Sequence, residues 1–401
     1  MASVEHSVEV VVVGGGPAGL TAAIALAANG IETALIAPSP PPDNRTTALL
    51  SGSVAALEAL GVWPMCAAES APLTAIRLID DTARLVRAPE VLFEASEIGL
   101  PAFGHNIENR HLVAALEARA AGLPSLRHID ATAIAIEPGD DSVTVRLDDG
   151  TRVGARLVVG ADGRRSLCRA AAGIDTERRS YPQSALTLNI GHARPHRGIS
   201  TEFHTEHGPF TLVPLPGARS SVVCVVEPAE AERLAALDDA ALSIELERRA
   251  HSILGKVAVE PGRGLFPLGT ETARRFAGHR IALAGEAAHV IPPIGAQGLN
   301  LGLRDAATIG ELVVEAHRAG DDVGSAGVLA RYDELRRADV TGRTLAVDML
   351  NRSLLSDFLP VQGARGFGLY LLDRIKPLRH AVMREGVEPA AQPRLMRGEA
   401  L

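Results

Sequence analysis

The sequence predicts an α/β protein, with a mostly parallel sheet, an inserted antiparallel β-sheet and C-terminal helices. Three observations predict this class. A β-branched run near the N-terminus leads into a glycine-rich turn and a helical pattern, alternating segments recur between residues 73 and 274, and helical periodicity fills most of the last third. At 401 residues the chain is long enough for about two or three domains.

The first elements form a βαβ unit. Residues 8–13 are a run of valines interrupted only at Glu9, as expected for a parallel strand buried on both faces. Residues 18–28 are rich in alanine and leucine and stop at Asn29-Gly30, which predicts a helix, and residues 32–36 predict a second strand. Residues 47–60 then resume a helical pattern.

The middle of the chain alternates between polar and apolar residues, which is typical of antiparallel strands. The predicted elements, in order, are strands at 75–79 and 83–86, a helix at 111–121, strands at 131–136, 142–147 and 152–159, antiparallel strands over 185–226 interrupted at Pro214, Pro216 and Gly217, and a helix at 230–254. Asp148-Asp149-Gly150 predicts a hairpin turn before residue 152. From Gly302 onward we predict mostly helix, with breaks at Pro360 and Pro377.

Composition and charge exclude several classes of function. The 40 Lys and Arg residues are outnumbered by 48 Asp and Glu residues, and the net charge of −8 argues against nucleic-acid binding. The three cysteines are far apart and odd in number, so they fit neither a disulfide framework nor a thiolate zinc site. Residues 10–31 carry no charge, but glycines and Pro17 interrupt them too early for a membrane helix. No targeting segment is evident, so the expected location is cytoplasmic.

The first motif that carries chemistry is a GxGxxG formed by Gly14, Gly16 and Gly19. It lies between a predicted strand and a predicted helix, which is the context of a Rossmann-like dinucleotide site: the glycines allow a tight turn, close approach to a pyrophosphate and close helix packing. An acidic residue is expected about 20 residues later to hold a ribose. Ala37-Pro38 stands there instead, so the motif alone leaves FAD and NAD open.

Two further motifs place an acid directly after an apolar strand. Asp162-Gly163 follows residues 157–160, and Gly285-Glu286 follows residues 280–284. In open α/β sheets, ligands bind at this carboxyl edge. Residues 292–300 then form a Pro- and Gly-rich turn that opens a helix, whose N-terminus would stabilise a ring that becomes anionic.

Taken together, the three motifs resemble the fingerprints of the FAD-dependent aromatic hydroxylases, the single-component flavoprotein monooxygenases. Residues 45–49, 106–110, 208–216 and 292–305 further resemble the ubiquinone-biosynthesis hydroxylases. The resemblance implies that NAD(P)H reduces a bound FAD, that O₂ then forms a C4a-hydroperoxyflavin, and that one oxygen is transferred to the ring of a polyprenylated phenol. It also implies contact with other quinone-biosynthesis proteins and with the inner membrane.

The family's site residues are carried over position by position. The resemblance implies cofactor binding by Gly14, Gly16, Gly19, Arg45, Asn109, Arg110, Asp162, Gly163, Gly285, Glu286, Pro293, Gly298, Leu299 and Asn300. Among these, Pro293 and Gly298, together with Gly295, are the candidates that line the flavin ring. Two departures from the family pattern are Ala37 and Glu286, where acids, the second an aspartate, are usual. No catalytic acid or base is assigned.

The domain limits follow from the alternation of the two kinds of segment. Residues 1–72, 102–180 and 275–340 are predicted to form a discontinuous FAD-binding domain. Residues 73–101 and 181–274 are predicted to form a substrate-binding β-sheet domain, and residues 341–401 a C-terminal helical region.

Several alternatives stay open. His289 is interpreted as a buried structural group rather than a base, and no metal is assigned to His204 and His207. The apolar spacing at Val347, Leu350, Leu354 and Phe358 favours core packing over a surface for a partner or a membrane. The rival functions are a non-catalytic flavin-binding scaffold of a quinone-biosynthesis complex and a prenyl-chain reductase.

Overall fold

The fold was analysed in a computed structural model that describes residues 6–39, 43, 45–83, 87–293, 295–355, 368, 370–372, 374–387, 389 and 391–401. The side chains of residues 346, 347 and 350–355 lie outside this description. Within it, parallel and antiparallel strands are combined with helices, which confirms the predicted α/β class. The domain limits given above stay a prediction.

The elements are numbered in chain order. The strands are β1 (His6–Ser7), β2 (Val10–Val13), β3 (Thr33–Ile36), β4 (Thr46–Leu50), β5 (Ser70–Pro72), β6 (Ala75–Asp80), β7 (Val91–Glu94), β8 (Gly104–Glu108), β9 (Leu126–Ile129), β10 (Ala133–Pro138), β11 (Val143–Leu147), β12 (Arg152–Ala155), β13 (Leu157–Gly160), β14 (Thr176–His192), β15 (Ile199–Thr205), β16 (Gly208–Leu215), β17 (Arg219–Val226), β18 (Val257–Val259), β19 (Gly264–Ala273), β20 (Ala277–Gly278), β21 (Ile281–Leu283) and β22 (His289–Val290). The α-helices are α1 (Pro17–Ala27), α2 (Ser51–Ala59), α3 (Asn109–Ala121), α4 (Leu167–Ala171), α5 (Pro228–Ala236), α6 (Asp239–Arg249), α7 (Gln297–Ala319), α8 (Ala326–Leu355) and α9 (Lys376–Val387). Short 3-10 turns occupy Trp63–Met65, Ala67–Glu69, Ala95–Ile98, Gly285–Ala287 and Leu395–Arg397.

A six-stranded sheet forms the framework of the chain, in the order β20-β21-β13-β2-β3-β9. Its strands are parallel except for β20, which forms a hairpin with β21. Every residue of β2, β3 and β13 is buried, because α1 and α4 are among the helices that pack on the sheet. The predicted βαβ unit is confirmed.

The second large sheet has nine strands, with the path β22-β19-β14-β17-β16-β15-β6-β7 and β18 paired to β14. It is antiparallel, as predicted, except that β6 and β15 run parallel. The expected interruption at Pro214 is wrong, because Pro214 lies inside β16 opposite Ser220. The chain turns instead after Leu215, where Gly217 has φ of +75°. Leucine, valine and phenylalanine on one face of this sheet pack against α5 and α6.

Three predicted elements differ in the structure. Residues 47–60 are not one helix, because Thr46–Leu50 pairs with β8 and only then does α2 begin. Residues 152–159 are two strands in two different sheets, with Arg156 between them donating its N–H to the Glu9 carbonyl. Residues 230–254 are two helices, since Asp238 caps a second helix by accepting from the Ala241 N–H at 2.7 Å.

The predicted helical character of the last third is confirmed over α7, α8 and α9. The break predicted at Pro377 is confirmed, because Ile375 is not helical and α9 begins at Lys376, with Pro377 in its first turn, where a backbone N–H is not needed. Pro360, the strand predicted at 83–86 beyond Ala83, and the side chains of Val347, Leu350, Leu354 and Phe358 lie outside the described residues. In the described part of the chain, no helix combines the length and apolar character required to span a membrane.

Gly104 provides a test of the contact between β4 and β8. A Cβ atom at this position would lie 1.9 Å from the Leu49 carbonyl oxygen, so Gly104→Ala must push the two strands apart. We expect the free energy of unfolding to fall by about 1–3 kcal/mol, measured by urea denaturation. Gly342→Ala is the control, because a Cβ there meets nothing within 4 Å and alanine favours a helix. A Gly104→Ala protein as stable as the Gly342→Ala protein would contradict this packing.

Candidate FAD site

The three sequence motifs meet at one edge of the six-stranded sheet. Strands β2, β13 and β21 are parallel neighbours, with Val13 opposite Gly160 and Gly160 opposite Leu283. The chain leaves these strands into the GxGxxG turn, into Asp162-Gly163 and into Gly285-Glu286. Segments far apart in sequence therefore form one carboxyl edge, which is where open α/β sheets bind ligands.

The glycines of the first motif have different tasks. Gly14 has φ of +114°, and a Cβ atom would lie 2.2 Å from the Ala161 carbonyl oxygen. A Cβ on Gly19 would lie 2.0 Å from the Gly14 carbonyl oxygen. Gly16, by contrast, is the extended residue before α1 and faces open space, with nothing within 4 Å of its Cβ position.

This arrangement fits a bound pyrophosphate. The first turn of α1 has no side-chain cap, so its backbone N–H groups point to the open space beside Gly16. The positive end of the helix dipole favours a negative ligand there. The Ala37 methyl group, where the family usually has an acid, lies 2.8 Å from the Cβ position of Gly15, and the Ala37 carbonyl bonds to His128 at 2.9 Å.

Asp162 organises the second motif. Its carboxylate accepts from the Ser166 hydroxyl at 2.6 Å and from the Cys168 N–H at 3.1 Å, so it shapes the turn into α4. Burial and the neighbouring Asp162 charge raise the pKa of the Cys168 thiol well above its usual value. Gly163 follows with φ of +78°. Arg169 then links the second motif to the third by donating to the Arg164 and Ala287 carbonyls, both at 2.8 Å.

Glu286 lies on the open side of the third motif. Its carboxylate forms an ion pair with Arg164 at 3.3 Å, and both side chains are about half exposed. Gly285 adopts φ of +61° and donates its N–H to the buried Asp305 carboxylate at 2.9 Å. The hydrogen bond that Arg45 donates to Asp43 raises the pKa of the guanidinium most, and the charge of the nearby Glu286 raises it further.

The structure brings Arg45 and Asn109 together through Asp43. The Asp43 carboxylate accepts from Arg45 at 2.8 Å and from the Asn109 amide at 2.9 Å. Burial opposes ionisation of Asp43, but these hydrogen bonds outweigh it and lower the pKa of the carboxyl. Arg110 is drawn into a different cluster, since it pairs with Glu108 at 3.0 Å.

The late Pro- and Gly-rich turn leads into α7. Pro293, Gly295 and Gly298 are exposed, and Leu299 is half-buried. Ala296 precedes the helix in a left-handed conformation, with φ of 55°, and the helix start has no side-chain cap. A ring lying against this turn would meet free backbone N–H groups and a positive helix end.

Asn300 is already fully engaged by the protein. Its side-chain oxygen accepts from the Leu50 N–H at 2.9 Å and from the Ser53 hydroxyl at 2.6 Å. Its amide donates to the Ala48 carbonyl at 2.8 Å and to the Ala296 carbonyl at 2.5 Å. The side chain therefore fastens α7 to β4 and α2, and any contact of Asn300 with a ligand is left to its backbone.

The histidines singled out in the sequence are used structurally. His289 is fully buried and bonds to Asp305 at 2.6 Å, which confirms its interpretation as a buried, hydrogen-bonded group. His204 pairs with Glu202 at 2.7 Å, and His207 pairs with Glu227 at 3.4 Å. Across the described ranges, no group of three or more His, Cys, Asp or Glu residues could hold a metal ion.

The glycine cradle, the uncapped helix start and the parallel sheet define a dinucleotide-binding protein. Residues 7–344 match the family model described as FAD binding domain, so the chain belongs to this family. It is an FAD-dependent monooxygenase of the aromatic hydroxylase class.

Relatives and solved structures agree with this assignment. The chain is 37% identical over 414 residues to ubiquinone hydroxylase UbiL of Rhodospirillum rubrum, covering 100% of this chain and 95% of that protein. It is 30% identical over 387 residues to 3-demethoxyubiquinol 3-hydroxylase of Escherichia coli, covering 94% and 97% of the two chains. The crystal structure of p-nitrophenol 4-monooxygenase PnpA from Pseudomonas putida DLL-E4 shares the fold, with a TM-score of 0.79 at 20% identity, covering 96% of this chain and 100% of that one.

Gly16 tests the position of the pyrophosphate. Because its Cβ position faces open space, Gly16→Ala should fold normally but place a methyl group where the phosphates bind. We expect the Kd for FAD to rise at least about tenfold, equivalent to about 1.4 kcal/mol, with the melting temperature unchanged. Gly14→Ala should instead lose stability and FAD together.

The matched control is Gly278→Ala, because a Cβ there also meets nothing within 4 Å but lies on β20, away from the three motifs. Flavin fluorescence during titration with FAD measures both variants. If Gly16→Ala binds FAD as tightly as Gly278→Ala does, the pyrophosphate lies elsewhere.

Proposed function

We propose that this FAD-dependent enzyme hydroxylates the aromatic ring of a polyprenylated phenol in ubiquinone biosynthesis, with NAD(P)H as reductant and O₂ as the oxygen donor. Two relatives whose names describe ubiquinone-pathway hydroxylases, at 37% and 30% identity over nearly the whole chain, support this reaction. Bound FAD supplies the redox chemistry that activates O₂. The protein's part is to hold the cofactor, orient the phenol ring and exclude water.

The proposed cofactor contacts follow the three motifs. The pyrophosphate lies at Gly16 and the start of α1, while Gly14 and Gly19 permit the turn that exposes Gly16. Arg45, with Asn109 beside it, lies close enough to the Arg164–Glu286 pair for the charge of Glu286 to act on Arg45, and we place the cofactor groove beside these groups. Asp162, Gly163 and Gly285 shape the turns that carry these groups. The flavin ring lies against Pro293, Gly295, Gly298 and Leu299 at the start of α7.

The proposal of an apolar substrate rests on the face of the nine-stranded sheet that is opposite α5 and α6. Side chains alternate between faces along a strand, so Val223 and Val225 point away from α5 and α6, which pack on Val222 and Cys224. Val225 and Leu268 are buried with Ala185 on this second face, and Val223 is half-buried beside them. These residues form an apolar, partly open patch on a face that also carries Ser221 and Arg219.

The second face is turned toward the three-stranded sheet β4-β8-β5, whose first strand directly follows Arg45. Asn106 on β8 donates to the Pro214 carbonyl at 2.9 Å and to the Ser221 hydroxyl at 3.1 Å, which fixes β8 against β16 and β17. The Arg45 guanidinium lies 5.9 Å from the centre of the Phe266 ring on β19. A phenol bound between the two layers would meet the apolar face on one side and the flavin on the other.

The charged residues beside the proposed phenol site, between the sheet face and the flavin, favour an uncharged substrate. Arg219 is the cation on β17, and its guanidinium already donates to Glu260 at 2.6 Å and to Glu108 at 3.4 Å. The hydrogen bond to Glu260 raises the pKa of Arg219 and, together with Glu108, outweighs the opposing effect of burial, so the guanidinium stays charged and paired. A substrate carboxylate would have to displace one of them, whereas a prenylated phenol needs no cation.

Activity on two phenols tests the substrate class. Val223→Asp puts a charge on the apolar face, and we expect kcat/KM for a short-chain prenylphenol to fall more than about tenfold, because a charge desolvated by the prenyl chain is costly. Ile244→Asp is the control, since Ile244 on α6 is 71% exposed on the far side of the sheet. Oxygen consumption and product mass are measured with the prenylphenol and with 4-hydroxybenzoate, which should be a poor substrate.

The rival functions give different results in the same assay. A non-catalytic scaffold is suggested by the departures from the family pattern at Ala37 and Glu286. Such a scaffold would bind FAD but form no hydroxylated product. A prenyl-chain reductase would oxidise NAD(P)H without consuming O₂ and would saturate the chain. Either result would overturn the hydroxylase proposal while leaving FAD binding intact.

We also propose that the enzyme works at the cytoplasmic face of the inner membrane and meets the other quinone-biosynthesis proteins there. Ile375, Leu378 and Val382 are spaced along one face at and within α9 and are 43%, 41% and 47% exposed. The exposed cations of this segment are Arg374, Lys376 and Arg384. An exposed apolar stripe with cations beside it suits an anionic bilayer surface, from which a prenylated substrate would enter.

Liposome flotation tests the membrane proposal. We expect the unaltered chain to float with vesicles that contain anionic phospholipid, and the double variant Leu378→Asp/Val382→Asp to stay at the bottom. Ile244→Asp, which also adds a charge at an exposed apolar position, should still float. If the unaltered chain does not float, or if all three proteins float equally, the α9 stripe is not a membrane contact.

A further inference from the structure

The turn between β21 and β22 is held at both ends by one buried carboxylate. Asp305 on α7 accepts from the Gly285 N–H at 2.9 Å and from His289 Nε2 at 2.6 Å, both through the same oxygen. Gly285 begins the turn and His289 ends it. Because the carboxylate accepts, Nε2 carries the proton, and His289 Nδ1 has no hydrogen-bond partner within the described chain.

The charge of this carboxylate is balanced from a second helix. The other oxygen of Asp305 accepts from Arg336 Nε on α8 at 2.6 Å, and Arg336 also pairs with Asp339 at 2.7 Å. Asp305 is completely buried, and the Arg336 side chain is only 2% exposed. Such a pair is costly to desolvate, and breaking it leaves an uncompensated charge in the interior.

The turn has little freedom to find another conformation. The Cβ position of Gly302 on α7 lies 3.2 Å from Gly285 Cα, and that of Gly285 lies 3.2 Å from the Ala18 methyl group on α1. Gly285 itself has φ of +61°. The turn is thus packed between α1, which begins at the pyrophosphate cradle, and α7, which begins at the proposed flavin ring site. Glu286 points outward from this turn to Arg164.

We propose that Asp305 is a positioning residue of the FAD site, which fixes the turn of residues 285–289 so that Glu286 and the Gly285 backbone face the cofactor groove. Asp305 touches no ligand itself. It acts through its hydrogen bonds to the two ends of the turn, Gly285 and His289. The affinity of the enzyme for FAD then depends on a carboxylate that lies on the inner side of the turn, away from the cofactor groove.

Titration of the apoprotein with FAD, followed by flavin fluorescence and visible absorbance, tests this role. No phenol is present, so the result does not depend on the proposed substrate. Asp305→Asn keeps the shape but loses the charge that holds Gly285, His289 and Arg336. We expect the Kd for FAD to rise at least about tenfold and the flavin absorbance bands to shift.

The matched control is Asp322→Asn. Asp322 also pairs with an arginine, Arg280 at 2.7 Å, and accepts from a backbone N–H, that of Gly324 at 3.1 Å. It lies beside the start of β21, whereas the turn follows the other end of that strand. Asp322→Asn should lower the melting temperature but leave the Kd for FAD within about twofold of the original value.

A second variant covers the case in which Asp305→Asn does not fold. His289→Leu keeps the bonds of Asp305 to Gly285 and Arg336 but frees the far end of the turn, and we expect a smaller rise in the Kd for FAD with the same spectral shift. If the folded variants lose only stability and bind FAD as Asp322→Asn does, Asp305 is a core ion pair and the proposal is wrong.

Discussion

The close approach of Gly14 to the Ala161 carbonyl is the constraint on which the site depends. It brings the turn after β2 against the turn after β13, and a single methyl group at Gly14 would forbid it. Because Gly19 has no side chain, α1 can pack directly against the Gly14 carbonyl. Gly16 is then the motif glycine that faces open space. Two glycines thus serve the packing of the turn, and the third, with the helix start behind it, is the open position at which we propose that the pyrophosphate binds.

Elements with strong local patterns could be predicted from the sequence, and so could the part of the site that lies in them. The run at β2, the helix α1 and the glycine motif are consistent at every level, from composition to packing. The alanines and leucines of residues 47–60 predict one helix, but pairing with β8 draws Thr46–Leu50 into a sheet. Local propensity was overruled there by a partner more than fifty residues away.

The ion pairs in and around the site could not be predicted from the local sequence. Arg164 and Glu286 are 122 positions apart, and Arg336 is 31 positions from Asp305, so no spacing rule joins them. Asn300 adds a second case: its place in a fingerprint predicts cofactor contact, which stays a prediction, while the hydrogen bonds of its side chain are made within the protein. A fingerprint therefore combines residues that bind with residues that hold the binding surface in place. Only the contacts that each side chain makes in the structure distinguish these two kinds of residue.

The order of strands in the six-stranded sheet also governs how the chain can assemble during synthesis. Strand β13 lies between β2, which is made early, and β21, which is made after residue 280. Until then β13 is a bare sheet edge of four apolar residues, and α1 lacks the cover of α7. A nascent or truncated chain that ends before β21 thus exposes a strand ready to pair with another molecule. The same topology that gathers three distant motifs at one edge delays a protected native sheet until the last third of the protein has emerged from the ribosome.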